Sequence, residues 1–189
     1  MRHTSSVTRR GLLITSAAFG LSACATPTKV PNPVFAPIGF PGGPIPLGVS
    51  RVQLVVRPRV GSDISPADAD FVVPPEQIAR LWPQQRIAAK GGQNTLRYII
   101  DDASAVSRVT ETGEVVAATI QVRLLIATPY DIEEAGAGAR VDSEIRFEGF
   151  PSMVERQEAL HRLSQDIAAK LDAQLAMSIQ QNLGTYLRS

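Results

Sequence analysis

Residues 114–128 read EVVAATIQVRLLIAT. Val116, Ala118, Ile120, Val122, Leu124 and Ile126 occupy every second position, against Thr119, Gln121 and Arg123. Successive side chains of a strand point to opposite faces, so this stretch predicts a strand with one apolar and one polar side. Residues 139–147 repeat the pattern: Val141, Ser143, Ile145 and Phe147 alternate with Arg140, Asp142, Glu144 and Arg146. One apolar face per strand predicts an antiparallel or mixed sheet with its helices on one side.

Upstream, Thr95 to Val109 reads as a strand with a fault. Leu96, Tyr98 and Ile100 share a face, and strict alternation would then bury Asp102. One extra residue near Asp101-Asp102 puts Ala103 and Ala105 on that face instead, which predicts a bulge. Val49 to Val60 alternates Val52, Leu54 and Val56 with Arg51, Gln53, Arg57 and Arg59, and Pro58 marks it as an edge or a strand end. Residues 61–74 read as loop. Pro75 to Lys90 reads as a helix that Pro83 should kink or split, closed by Gly91-Gly92.

The last element is a long helix. Ser152 and Glu155 have the spacing of a capping box, and the pattern runs to about Tyr186. Leu163, Ile167, Leu171, Leu175, Ile179, Leu183 and Leu187 recur every four residues, so the stripe drifts about 40° per step around the helix. Such a winding stripe suits a helix crossing a twisted sheet. Glu158, Arg162, Asp166 and Lys170 form a charged ladder suited to a solvated face. The expectation is an α+β domain: about four strands, antiparallel or mixed, with two helices packed on one face.

Composition narrows the function classes. The chain has 189 residues, 44% hydrophobic and 20% charged, which suits one globular domain with additions. A net charge of +1 and 5% aromatics give no basis for nucleic-acid binding. A single Cys rules out a disulfide framework and a Cys-rich zinc site.

Residues 1–24, MRHTSSVTRRGLLITSAAFGLSAC, have the layout of a secretory signal. Arg2, Arg9 and Arg10 precede an apolar run, Gly11 to Ala23, that is short of the ~20 residues a membrane span needs. Leu21-Ser22-Ala23-Cys24 resembles a bacterial lipobox. That resemblance implies cleavage before Cys24 and acylation of its sulfur and amine, palmitate included; this covalent lipid is the only non-protein group expected. Ala25, a residue other than Asp, implies sorting to the outer membrane, with the body facing the periplasm. Thr8-Arg9-Arg10-Gly11-Leu12-Leu13 partly resembles a twin-arginine signal, so the general secretory route and the twin-arginine route both stay open. Removing residues 1–23 leaves 16 basic and 18 acidic side chains, a net charge of −2. Residues 27–47 carry seven of the 14 prolines and read as an extended tether, part of which could dock on the domain or on a partner. The organisation expected is a signal peptide at 1–23, the lipidated Cys and tether at 24–47, and a single domain at 48–189.

No catalytic constellation is legible. His161 is the only His after cleavage and sits inside the long helix, where packing or exposure is the expected role. No G-x-S-x-G occurs, and no metal-ligand spacing. Asp101-Asp102 reads as the bulge and Glu133-Glu134 as a solvated loop. Gly91-Gly92 and Gly136-Ala137-Gly138 lack the Lys-Ser/Thr of a phosphate loop and read as turns. One feature suggests binding. If both helices cover the apolar face, the other exposes Arg51, Arg57, Arg59, Arg97, Arg123, Arg140 and Arg146. Arginine suits bidentate phosphate contact, so this face is a candidate for lipid phosphate or an acidic partner. The plainer reading is a soluble face whose arginines pair with Asp142, Glu144 and Glu148.

Cys24 in its lipobox, then strand, helix, three strands and a terminal amphipathic helix, resembles the LPS-assembly lipoproteins of the LptE type. The order is also similar to auxiliary lipoproteins of ABC transporters that move lipids to the outer membrane. Leu81-Trp82, Arg86-Ile87, Gly91-Gly92, Thr95-Leu96 and Asp102-Ala103-Ser104 look like a group of uncharacterised Gram-negative lipoproteins. The Pro-rich tether departs from the LptE type, whose first strand starts close to the Cys. The resemblance covers residues 48–189, in architecture more than in motif. It implies a non-enzymatic accessory or scaffold in envelope transport or assembly of LPS or phospholipid, partnered by an outer-membrane barrel or an ABC-type lipid transporter. The alternative is a tethered lipid- or solute-binding module, which would need a deep apolar cavity.

Overall fold

The computed structural model describes residues 34–58, 65–149 and 151–188. Seven strands and two α-helices follow in the order β1 (Ile45–Leu47), β2 (Arg51–Val56), β3 (Ser65–Pro66), α1 (Pro75–Arg86), β4 (Ile87–Ala89), β5 (Thr95–Thr110), β6 (Gly113–Ala127), β7 (Glu133–Glu148) and α2 (Met153–Asn182). Short 3-10 turns lie at Asp68–Asp70 and Gly184–Tyr186. The main sheet runs β2-β5-β6-β7, with β3 added on β5 beyond β2. β2 is parallel to β5, and the other pairs of this sheet are antiparallel, so the sheet is mixed. The parallel pair is possible because α1 carries the chain back between the two strands.

The alternation of β6 translates directly into burial. Val116, Ala118, Ile120, Val122, Leu124 and Ile126 are all buried in the core. The helices cover that face, and Leu163, Ile167, Leu171, Leu175, Ile179 and Leu183 are buried with it. The bulge in β5 falls at the expected place: Ile100 pairs with Val122 and Asp102 with Gln121, leaving Asp101 as the extra residue. Ala103 and Ala105 are buried as a result. Ser152 caps α2 through a complete capping box with Glu155.

Four expectations are corrected. The first helix ends at Arg86 instead of Lys90, because Ile87–Ala89 leave it to pair in parallel with Ile45–Leu47. It runs through Pro83, which is buried. The strand read from Ala139 begins at Glu133, so Glu133-Glu134 is not a loop and Gly136-Ala137-Gly138 is not a turn. Close approach explains the glycine at 138: a Cβ there would stand 2.9 Å from the Val122 carbonyl oxygen, and its N–H donates to Ser178 Oγ at 3.1 Å. The long helix stops at Asn182, a turn short of Tyr186. Gly91-Gly92, read as a turn, does not reverse the chain: with φ of 88° and 118° it links β4 to β5, which both run parallel to the β1–β2 segment.

The segment 34–47 lies on the body. Ile38 and Leu47 are buried, and Phe40 and Ile45 pack against the core. Leu47 bridges Leu187, and Phe35 sits 4.8 Å from the ring of His161. The described residues 34–47 therefore lie in the same compact unit as the elements that follow. The signal, the lipobox and Cys24 lie outside the described residues.

Candidate functional site

The register places the arginines together. Arg51 and Arg57 on or just beyond β2, Arg97 on β5, Arg123 on β6, and Arg140 and Arg146 on β7 all lie opposite the core face. Arg108, which pairs with Val115 across from Arg146, joins them and was not singled out by the sequence pattern. Arg59 lies outside the described residues.

Most of these cations are matched by carboxylates. Arg123 donates to both oxygens of Asp101 at 2.6 and 2.9 Å, and Arg57 stands 3.2 Å from the same group. Arg97 pairs with Asp131, Arg140 with Asp142 and Arg146 with Glu144. Asp142 and Glu144 were anticipated as partners. Asp101 and Asp131 were not, because one is the bulge residue and the other sits in a turn. The Arg123 hydrogen bonds, with the charges of Arg123 and Arg57, hold the Asp101 carboxyl below its usual range against the effect of burial. Asp101 in turn raises Arg123. Arg51 is exposed and has no ionic partner among the described residues. Chemically the face is a mesh of ion pairs. A phosphate approaching it would compete with carboxylates already in place.

Beside the bulge, β2, β5 and the start of α1 enclose an open groove of about 450 Å³. Its rim carries four carboxylates, Asp68, Glu76, Asp101 and Asp102, and two guanidiniums, Arg57 and Arg80. Arg80 is tied to Glu76 one helical turn away at 2.7 Å, and Asp68 accepts from the Ala105 N–H at 3.0 Å. Charges of both signs suit holding α1 to the sheet more than concentrating one ligand charge.

A buried polar cluster joins the helices where the sequence gave little warning. Trp82 Nε1 donates to Asp172 Oδ1 at 2.9 Å, and Arg86 Nε reaches the same oxygen at 2.5 Å. Arg86 also donates to the Gly43 carbonyl in the docked segment. Trp82 and Arg86 are one turn apart on α1, and Asp172 breaks the apolar stripe beside Leu171; that spacing was the available signal. His161 is buried against Phe35, in the packing role expected for it. Among the described residues no group of three His, Cys, Asp or Glu is placed to hold a metal ion, and no helix is long and apolar enough to cross a membrane.

No protein-family model matches the chain, and neither does any curated protein sequence. Solved structures resemble parts of its course. A minor lipoprotein from Acinetobacter baumannii is similar at a TM-score of 0.40 and 9% identity, over 69% of this chain and 93% of the other. A candidate lipoprotein from Caulobacter crescentus gives 0.34 and 11%, over 69% and 90%. A hypothetical protein from Chlamydia trachomatis gives 0.31 and 11%, over 69% and 99%.

Proposed function

We propose that the chain is a lipoprotein, anchored through acylated Cys24 to the periplasmic side of the outer membrane, where it serves without catalysis as an accessory or scaffold in envelope lipid transport or assembly. The observation that carries the reading is the leader: three arginines, a short apolar run and Leu21-Ser22-Ala23 immediately before the only Cys of the chain. Acylation on both sulfur and amine supplies several chains, and one chain alone binds a membrane only marginally.

The test is metabolic labelling with palmitate, followed by separation of inner and outer membranes. The wild-type chain should take up label and band with the outer membrane, and Cys24→Ser should do neither. Depleting the chain should then alter the LPS or phospholipid content of the outer leaflet. An unlabelled wild-type chain would overturn the anchor. Labelling with unchanged envelope lipids would overturn the transport role.

A further inference from the structure

The β6–β7 turn carries Tyr130 at 87% exposure and Ile132 at 63%, two large apolar side chains offered to solvent within three residues. The turn is nonetheless tightly built. The Thr128 N–H donates to the Ile132 carbonyl at 2.9 Å, and Asp131 N–H to the Thr128 carbonyl at 3.0 Å. Thr128 Oγ1 accepts from the N–H groups of Tyr130 and Ile132 at 3.3 and 3.2 Å. Asp131 has φ of 67°, the left-handed region, and no other non-glycine residue among those described has a positive φ. Its carboxylate is tied to Arg97 on β5. Asp adopts this conformation more readily than most residues, and here the turn hydrogen bonds and the Arg97 ion pair hold it.

We propose that Thr128–Ile132 is a recognition tip that seats Tyr130 and Ile132 in an apolar recess, rimmed by basic side chains, on an envelope protein. A turn already held in one shape loses little freedom on binding, and tyrosine is among the residues that dominate interface energetics. The charge around the tip selects the class of partner. Three carboxylates, Asp131, Glu133 and Glu134, surround it against two guanidiniums, Arg97 paired with Asp131 and Arg123 in electrostatic reach of Glu133. Glu134 is fixed in place by Asn94 at 2.7 Å and by the Tyr186 hydroxyl at 2.9 Å. This negative rim is repelled by phospholipid and LPS phosphates, and by the same tip of a second copy, and is attracted by lysines and arginines. The inference rests on the accessory reading only in placing the partner in the envelope.

The experiment uses the full chain expressed in bacterial cells, with Tyr130→p-benzoylphenylalanine as the photo-reactive probe and palmitate label on Cys24 followed in the same sample. The expected result is one protein adduct whose crosslinked peptide lies in an apolar recess flanked by Lys or Arg. Adding Ile132→Asp should lower its yield about tenfold with thermal unfolding unchanged. Adducts only to phospholipid or to a second copy, or no adduct, overturn the proposal. So does the same adduct from the probe at Val109, which is 88% exposed at the opposite end of β5. A labelled chain without an adduct overturns the tip alone, whereas an unlabelled chain that forms the adduct overturns the anchor alone.

Discussion

Asp172 carries a charge into the seam between α1 and α2, where it is 7% exposed and Arg86 is 5% exposed. Burying both ions is costly, and the cost is offset by their pairing and by the donors around it: Arg86 Nε and Trp82 Nε1 both reach Asp172 Oδ1, and Arg86 Nη1 donates to the Gly43 carbonyl. Asp172→Ala would leave the Arg86 guanidinium buried without a counter-charge, and should lower stability by about 3–5 kcal/mol. The double variant Arg86→Met, Asp172→Leu removes the charges together and should recover most of that loss in urea unfolding; a double variant as weak as the single one would contradict this account. Asp101 allows a pH test. Its folded pKa is depressed, so its stabilising contribution is present above the ordinary carboxylate range and is lost as pH falls through the lowered value. Asp101→Asn should therefore be less stable than wild type at pH 7, with the gap closing below about pH 4. A gap that persists at pH 2 would locate the effect elsewhere. Neither pairing was legible in the sequence. Asp172 finds Trp82 and Arg86 far along the chain, and Asp101 meets Arg123 through the β5–β6 pairing, whose register no local pattern states.

Elements whose pattern is local were read well. The period-two alternation of β6 and the four-residue stripe of α2 each name a buried face without reference to the rest of the chain. The same stripe predicts where α2 tolerates change. Leu171 is fully buried and Leu171→Ala should cost about 2–5 kcal/mol, whereas Met177, 56% exposed, should change stability by less than about 0.5 kcal/mol on replacement by Ala. Equal effects in chemical denaturation would mean that α2 is rotated from the position described. At the helix start, Ser152→Ala removes the acceptor of the Glu155 N–H and should cost about 1 kcal/mol. Elements set by long-range pairing were misread. Residues 133–138 are small and acidic, a turn-like composition, yet they extend β7 because β6 continues beside them and Gly136 and Gly138 fit against Leu125 and Val122. Ile87–Ala89 would continue α1 by propensity, yet they pair with Ile45–Leu47.

At the scale of the molecule, the sequence leaves open whether the proline-rich segment docks, and its described part, 34–47, packs on the body. Seven prolines between 27 and 47 argue against helix and central strand, and that is compatible with a tether. They do not argue against docking, which depends on the apolar residues between them. Ile38 and Leu47 are buried, Ile45 and Leu47 pair with β4, and the Arg86 guanidinium closes on the Gly43 carbonyl, where a Cβ at Gly42 would collide with it. Each fully buried aliphatic side chain stabilises by roughly 1.5–3 kcal/mol, a large share of the 5–15 kcal/mol that holds a domain of this kind together. Deleting residues 33–47, so that Cys24 and its neighbours join the chain at Gly48, should therefore lower the denaturant midpoint of the detergent-solubilised protein well below that of the intact chain. It should also expose Trp82, whose indole is held by Asp172 beneath the docked segment's partner Arg86, and shift its fluorescence to longer wavelength. An unchanged midpoint and emission would place the boundary at 48 and make residues 33–47 a spacer.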